Sequence, residues 1–168
     1  MAGSLEFIKS ASGTTVSSLS VTDCFSADYD VYQVTITTLQ TSTAANINVR
    51  FIDTGGVVST STYDQAIQLL FSNTSFSTLT GSNNTSIGGV SYGGGDTYGA
   101  SINMMVFNPN DSSSYTFLTD QSNAWTGVLQ AYKGGGCEKT AQTITGINFF
   151  PSSGTITMEI SVYGVKVG

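Results

Sequence analysis

The sequence predicts an all-β protein: an antiparallel β-sandwich or jelly roll with about ten short strands and no long helix. Three observations support this prediction. Apolar and polar residues alternate with a period of two in several short segments, as in strands with one buried face. Clusters of Gly, Asn, Asp and Pro separate these segments at regular intervals. Charged residues make up only 10% of the chain, and Ser and Thr, which suit the solvent side of a sheet, take their place.

The first part of the chain predicts strands joined by short turns. The clearest alternation puts Tyr32, Val34 and Ile36 on one face of a strand and polar residues on the other. The predicted elements are, in order, a strand at 5–8, a Ser/Thr/Val-rich stretch at 13–21, a turn at 28–30, the strand around Val34, a turn at 42–45, a strand at 47–51 and a closing turn at 53–56.

The middle of the chain is less regular. The apolar residues at 63–71 suit either a helical turn or a strand, and we favour a strand that begins near Ala66. Residues 72–99 are rich in Ser, Thr, Asn and Gly, which predicts strands at 75–79 and 85–90 with loops around them.

The last part of the chain returns to regular alternation. Ile102, Met104 and Val106 share one face of a predicted strand at 101–107. A turn at 108–111, strands at 115–118 and 127–132, and a Gly-rich loop at 133–139 follow. Two final strands flank a turn at 151–154, and the second of them places Ile156, Met158, Ile160 and Val162 on one face.

The length and the absence of a linker predict one domain over residues 1–168. Residues 1–20 are expected to act as an arm that docks on a partner or exchanges between subunits, because an unpaired edge strand is a template for another chain. No secretory leader and no bilayer-spanning segment is evident, so we expect synthesis in a cytoplasm.

The two cysteines, Cys24 and Cys137, are expected to remain reduced in a cytoplasmically made protein. Cys137 lies in a Gly-rich segment between Lys133 and Lys139, a setting that could lower a thiol pKa. With no base nearby in the sequence, we favour an inert thiol.

Several chemistries are not predicted. The chain has no histidine, which removes His-containing catalytic triads and His-containing zinc sites, and two cysteines cannot form a four-thiolate zinc site. The glycines at 93–95 lack the Gly-Lys-Ser/Thr ending of a phosphate-binding loop. A net charge of −6 with five scattered basic residues argues against nucleic-acid binding. We expect no enzymatic activity, no cofactor and no bound metal.

A few residues are weak candidates for ligand contact. Tyr92, Tyr98 and Trp125 lie near polar loops and could stack on sugars, although core or rim packing is the commoner role of such residues. Asp28 and Asp30 could offer oxygens to calcium, but the glycine and distal Glu of a calcium loop are missing. We favour a solvated turn there.

Four motifs together resemble a known family. In chain order they are YDQA at 63–66 entering a strand, INMMVFNP at 102–109 ending in an Asn-Pro turn, the glycines at 134–136, and ITGINFFPSSGTIT at 144–157 leading to VYGV at 162–165. In this order they resemble the small virion structural proteins of tailed bacteriophages.

The resemblance implies a jelly-roll-like sandwich displayed on a virion after synthesis in the host cytoplasm, and it brings no catalytic residue. We expect a capsid decoration (cement) protein that stabilises the head shell, because the chain has no coiled-coil or collagen-like shaft. The alternative is a receptor- or carbohydrate-binding head of a tail fibre or spike. The implied partners are further copies in a homotrimer, the major capsid protein or a tail component, and a host surface glycan, with no nucleic acid and no membrane.

Overall fold

The computed structural model describes residues 4–73, 76–95 and 99–166. These residues form no helix and fold into thirteen β-strands. The strands are β1 (Ser4–Val16), β2 (Leu19–Val21), β3 (Val31–Thr41), β4 (Ala44–Asp53), β5 (Gly56–Val57), β6 (Tyr63–Phe71), β7 (Phe76–Asn84), β8 (Ile87–Gly94), β9 (Ala100–Phe107), β10 (Thr116–Trp125), β11 (Leu129–Glu138), β12 (Ile144–Pro151) and β13 (Ile156–Lys166).

Two antiparallel sheets form the sandwich. The larger has eight strands in the order β1-β13-β3-β9-β10-β11-β6-β7. The smaller has the order β2-β12-β4-β5, and β8 also pairs with β4. Because β8 packs across β10 and β11, the smaller sheet covers much of the larger one. The all-β antiparallel sandwich predicted from the sequence is therefore confirmed.

Eight of the strands have the order of a jelly roll. The run β1-β13-β3-β9 faces the run β2-β12-β4-β8. If these eight strands are numbered along the chain, the two runs become 1-8-3-6 and 2-7-4-5. This is the strand order of an eight-stranded jelly roll, which consists of two Greek keys. The other long strands, β10, β11, β6 and β7, extend the larger sheet beyond β9. The protein is thus a jelly roll with one widened sheet.

The core lies between the two sheets and consists of the residues that alternation placed on the inner faces. Ile36, Ile47, Met104 and Ile160 are among the side chains with 0–1% exposure. Each of these four side chains comes from a different long strand. Within each strand, the residues that alternate with the buried ones are more exposed. The strand faces predicted around Val34, Val49, Met104 and Ile160 are confirmed.

The glycine-rich segment at 133–139 was predicted as a loop, and that prediction is wrong. Its glycines lie in β11, which pairs with β10 on one side and β6 on the other. A Cβ on Gly135 would lie 2.5 Å from the carbonyl oxygen of Leu118. The glycines are therefore required by close approach of neighbouring backbones in the sheet, and not by a turn.

The strands are also more numerous and longer than predicted. The predicted strand at 5–8 is the start of the thirteen-residue β1, and β6 begins at Tyr63 and not near Ala66. The segment 76–94 contributes two strands, β7 and β8, both longer than the sequence indicated. Polar strands without clear alternation were under-predicted because pairing within the sheet, and not apolar patterning, keeps them extended.

Tyr63 of β6 links the part of the larger sheet that lies beyond β9 to the smaller sheet. Its side chain is fully buried, its hydroxyl accepts a hydrogen bond from the Phe51 backbone N–H at 3.0 Å, and it donates one to the Val58 carbonyl oxygen at 3.0 Å. Burial raises the pKa of this phenol, so the hydroxyl stays neutral.

Replacing Tyr63 by Phe should lower the free energy of unfolding by about 1–3 kcal/mol, because the Phe51 N–H and the Val58 carbonyl lose their buried partner. Urea unfolding followed by fluorescence measures the loss. Tyr115→Phe is the matched control, since that tyrosine is 46% exposed. Equal stability of Y63F and the unaltered protein would show that these hydrogen bonds contribute nothing.

Candidate functional site

The solvent-facing side of the eight-stranded sheet is here called the outer face. Along β10, residues alternate between buried and exposed at every position, so Thr119, Gln121, Asn123 and Trp125 all point outward. Ser101 and Asn103 of β9 are exposed beside them. The centre of the outer face therefore carries amides and hydroxyls.

A groove runs along this face over β3, β9 and β10. Two depressions of about 430 and 540 Å³ share Thr37, Ser101 and Asn123, so they form one continuous groove. We call it the amide groove. Among the residues that the structure describes, none of those lining it is charged; they are Gln33, Thr35, Ile36, Thr37, Thr38, Gln40, Gly99, Ala100, Ser101, Ile102, Asn103, Gln121, Asn123, Ala124, Trp125 and Leu129.

A β-bulge shapes the middle of the amide groove. Ile36 pairs with Ile102 and Leu39 pairs with Ala100, so Thr37 and Thr38 of β3 together oppose Ser101 alone. Such an extra residue bends the strand and redirects its side chains. Both threonines are exposed, and they line the groove beside Ser101.

Two amides are already paired in the groove. The Gln33 Nε2 donates a hydrogen bond of 2.7 Å to the Asn103 Oδ1. An amide pair of this kind leaves one carbonyl oxygen and one amino group for a ligand, whichever of the two amides donates. The pair is therefore a prepared donor–acceptor site.

Trp125 closes one end of the groove. It is 44% exposed, pairs with the equally exposed Leu129 across the β10–β11 hairpin, and lines the groove with it. Tyr92, by contrast, lies on β8 of the smaller sheet and packs against the core. Tyr98 lies outside the described residues. The structure therefore puts Trp125 in a groove but does not place Tyr92 beside it.

The sequence reasoning missed the amide groove. Gln33 and Asn103 were treated only as the solvent side of predicted strands, and Gln121 and Asn123 fell between the predicted strands at 115–118 and 127–132. The available signal was their residue type: amides and not charged side chains fill the outward positions of neighbouring strands.

A second apolar feature lies at the edge of the same sheet. Leu5 and Phe7 of the edge strand β1 are 54% and 57% exposed. The Phe7 ring packs edge-on against Tyr163, with ring centroids 5.7 Å apart. We call Leu5, Phe7 and Tyr163 the edge patch.

The thiols show no sign of reactivity. Neither Cys24 nor Cys137 is in a disulfide. Burial raises the pKa of Cys24 to about 12, and burial also raises the pKa of Cys137 despite the nearby Lys139. A raised pKa keeps a thiol protonated at neutral pH, which agrees with the inert thiol favoured for Cys137.

The predicted acidic turn is present near the start of β3. Ser26 donates a hydrogen bond of 2.9 Å from its hydroxyl to the Asp28 carboxylate. Among the described residues, no three His, Cys, Asp or Glu side chains are grouped so as to hold a metal ion. Nor do these residues include a helix long and apolar enough to cross a bilayer.

In the part of the chain that the structure describes, one carboxyl is buried without a hydrogen-bond partner. Asp120 of β10 points into the sandwich, is 3% exposed, and neither of its carboxyl oxygens has a hydrogen-bond partner among the described residues. Burial raises its pKa to about 8. The neighbouring Ser122 is satisfied, since its hydroxyl donates to the Val90 carbonyl oxygen at 2.6 Å.

No protein-family model matches this chain, and neither a curated protein nor a solved structure matches it.

Proposed function

We propose that this chain is a non-enzymatic structural protein of a tailed-phage virion, a decoration protein that stabilises the head shell, most simply as a homotrimer. The motif order described above and the jelly-roll strand order, which also occurs in viral capsid and lectin domains, support this proposal. The observation that carries it is the edge strand β1.

β1 is suited to assembly because of its position and its exposure. It is thirteen residues long, pairs only with β13 in the larger sheet, and leaves its other edge without a strand among the described residues. An open edge offers backbone N–H and C=O groups to an added strand, and the side chains beside it give specificity. Leu5 and Phe7 supply apolar contacts at that edge.

The charge of the chain fits attachment that tolerates salt. Only 10% of the residues are charged, and the edge patch contains none. Its neighbours Glu6 and Lys166 form an exposed ion pair at 3.5 Å. Apolar and backbone contacts are screened little by salt, whereas contacts between exposed charges weaken as ionic strength rises.

Replacing Leu5 and Phe7 together by Ser should reduce binding to undecorated heads by about tenfold or more, because buried apolar anchors dominate interface energies. Sedimentation with purified heads measures the bound fraction. Phe76→Ser is the matched control, since Phe76 is 70% exposed at the opposite edge strand β7. Unchanged binding of the double variant would contradict attachment through β1.

Imaging of intact virions decides the location of the protein. Many copies spread over the head are expected for a decoration protein. A few copies at the tail would contradict that role.

The amide groove favours a second candidate function, a receptor- or carbohydrate-binding head on a tail fibre or spike. Neutral amides, hydroxyls and one exposed indole occur together in a concave surface. Such a combination is suited to sugars, which present hydroxyls along their edges and C–H groups on their faces.

A further inference from the structure

We propose that the amide groove binds a linear, neutral glycan chain, with a sugar ring stacked on Trp125 and sugar hydroxyls held by the amides of β3, β9 and β10. This inference rests on the second candidate function and names its ligand class and its site. It does not depend on attachment through β1.

The lining selects against charged ligands. A charged sugar would lose water on entering the groove, because none of the described lining residues is charged and could pair with it. Lys133, opposite Gln121, and Glu159, opposite Thr38, are exposed beside the groove and have opposite signs. A neutral hydroxyl faces no such cost, since Gln and Asn side chains offer both donors and acceptors. The ligand class is therefore a neutral glycan and not a sialylated, uronic or phosphorylated one.

The paired amides fit two adjacent hydroxyls. The 2.7 Å bond between Gln33 and Asn103 leaves the Gln33 carbonyl oxygen as an acceptor and the Asn103 amino group as a donor. Two neighbouring sugar hydroxyls can satisfy both, one as donor and the other as acceptor. Because the amide pair is fixed before binding, less conformational entropy is lost when the ligand arrives.

The spacing along β10 suits a chain and not a single sugar. Gln121, Asn123 and Trp125 are successive outward residues of one strand. At about 3.4 Å per residue, the row spans about 14 Å. The groove continues onto β3 and β9, so several sugar units in an extended chain can contact it at once.

Trp125 supplies the apolar platform. With Leu129 beside it, the indole presents an exposed apolar surface at the end of the groove. The C–H face of a sugar ring stacks on such a surface, while the ring hydroxyls remain turned toward the amides.

Titration with neutral oligosaccharides tests this inference. The probes are linear oligomers of glucose, galactose, mannose and N-acetylglucosamine, with oligogalacturonate and sialyllactose as charged comparisons, and calorimetry or NMR shifts measure binding. We expect at least one neutral chain to bind, more tightly as it lengthens, and the charged chains to bind at least about tenfold more weakly.

Variants then locate the site. Trp125→Ala and, separately, Asn123→Ala should each weaken binding by about tenfold, and Asn123→Ala keeps the test valid if Trp125→Ala fails to fold. Phe76→Ala is the control outside the groove and should bind as before. Binding to no neutral chain, equal binding to charged chains, or binding unchanged in both groove variants would overturn the proposal. The Leu5/Phe7 double variant should still bind glycan, so the two proposals can fail separately.

Discussion

Replacing Asp120 by Asn should raise the free energy of unfolding by about 3 kcal/mol at pH 8 and lower it by about 2 kcal/mol at pH 4. The gain arises because an ionisable group is removed from the interior of the sandwich. Asn has nearly the same shape as Asp, so the packing around position 120 is preserved.

The physical cause is the burial of Asp120. Its side chain is 3% exposed and its two oxygens have no partner among the described residues. The ionised form has lost its water there and gained nothing in return, so its pKa rises to about 8. Tyr132 of the neighbouring strand interacts electrostatically with Asp120, but a neutral phenol does not compensate a carboxylate.

The sign of the pH dependence follows from the two states. Between an unfolded pKa of about 4 and the folded value, the folded state holds a proton that the unfolded state has released. Stability therefore falls by about 1.4 kcal/mol per pH unit across that range, a total of about 5 kcal/mol, and stays level above it. The D120N variant does not lose stability in this way, because Asn does not ionise. Its buried amide has no partners, however, which lowers the free energy of unfolding by about 1–3 kcal/mol at every pH.

Urea unfolding between pH 4 and pH 9 measures both curves. The unaltered protein should lose stability toward pH 8, and D120N should show a much flatter curve. Asp111→Asn is a control of opposite sign: hydrogen bonds from Ser113 hold the Asp111 pKa below its usual range, so its removal should cost stability at neutral pH only. A level curve for the unaltered protein would contradict the prediction.

Replacing Gly134 by Ala should destabilise the protein by about 3 kcal/mol or more, at the upper end of overpacking effects. Gly134 lies in the middle of β11, between Asp120 of β10 and Ile67 of β6. A Cβ there would overlap the carbonyl oxygen of Ala66. Because the obstructing atom belongs to the backbone, relief requires β6 to move away from β11 and its hydrogen bonds to weaken.

Thermal unfolding and urea unfolding of Gly134→Ala measure the effect. Lys133→Ala is the matched control on the same strand, where the side chain is exposed and the expected change is within about 0.5 kcal/mol. If the Gly134→Ala protein is as stable as the control, the two strands can separate at this point without loss of stability, which would contradict the prediction.

Alternation predicted the parts of the fold that bury apolar side chains. The strands around Val34, Val49, Met104 and Ile160 were found because every second residue had to be apolar. β11 was missed because its glycines serve close backbone approach, which has no periodic signal. Asp120 was missed because the predicted strand stopped at Leu118. Extension by two residues would have placed the carboxyl on the buried face.

The candidate site was predictable only in part. Trp125 was singled out from the sequence, and it does line a groove. Its neighbours in that groove come from β3 and β9, which are distant in the chain and are brought together by the sheet order. The neighbours of a strand in the sheet depend on the topology of the whole sandwich. The residue pattern within a single strand does not indicate which strands those neighbours are.

The wrapping of the jelly roll also constrains the order of folding. Ser4 pairs with Lys166, so the first strand cannot take its place until the last strand has left the ribosome. Bringing β1 and β13 together across such a long intervening chain costs loop-closure entropy before their hydrogen bonds form. Folding is therefore expected to be slow. Until β13 arrives, β1 is an exposed strand with an apolar side, and high expression is then expected to favour aggregation over folding.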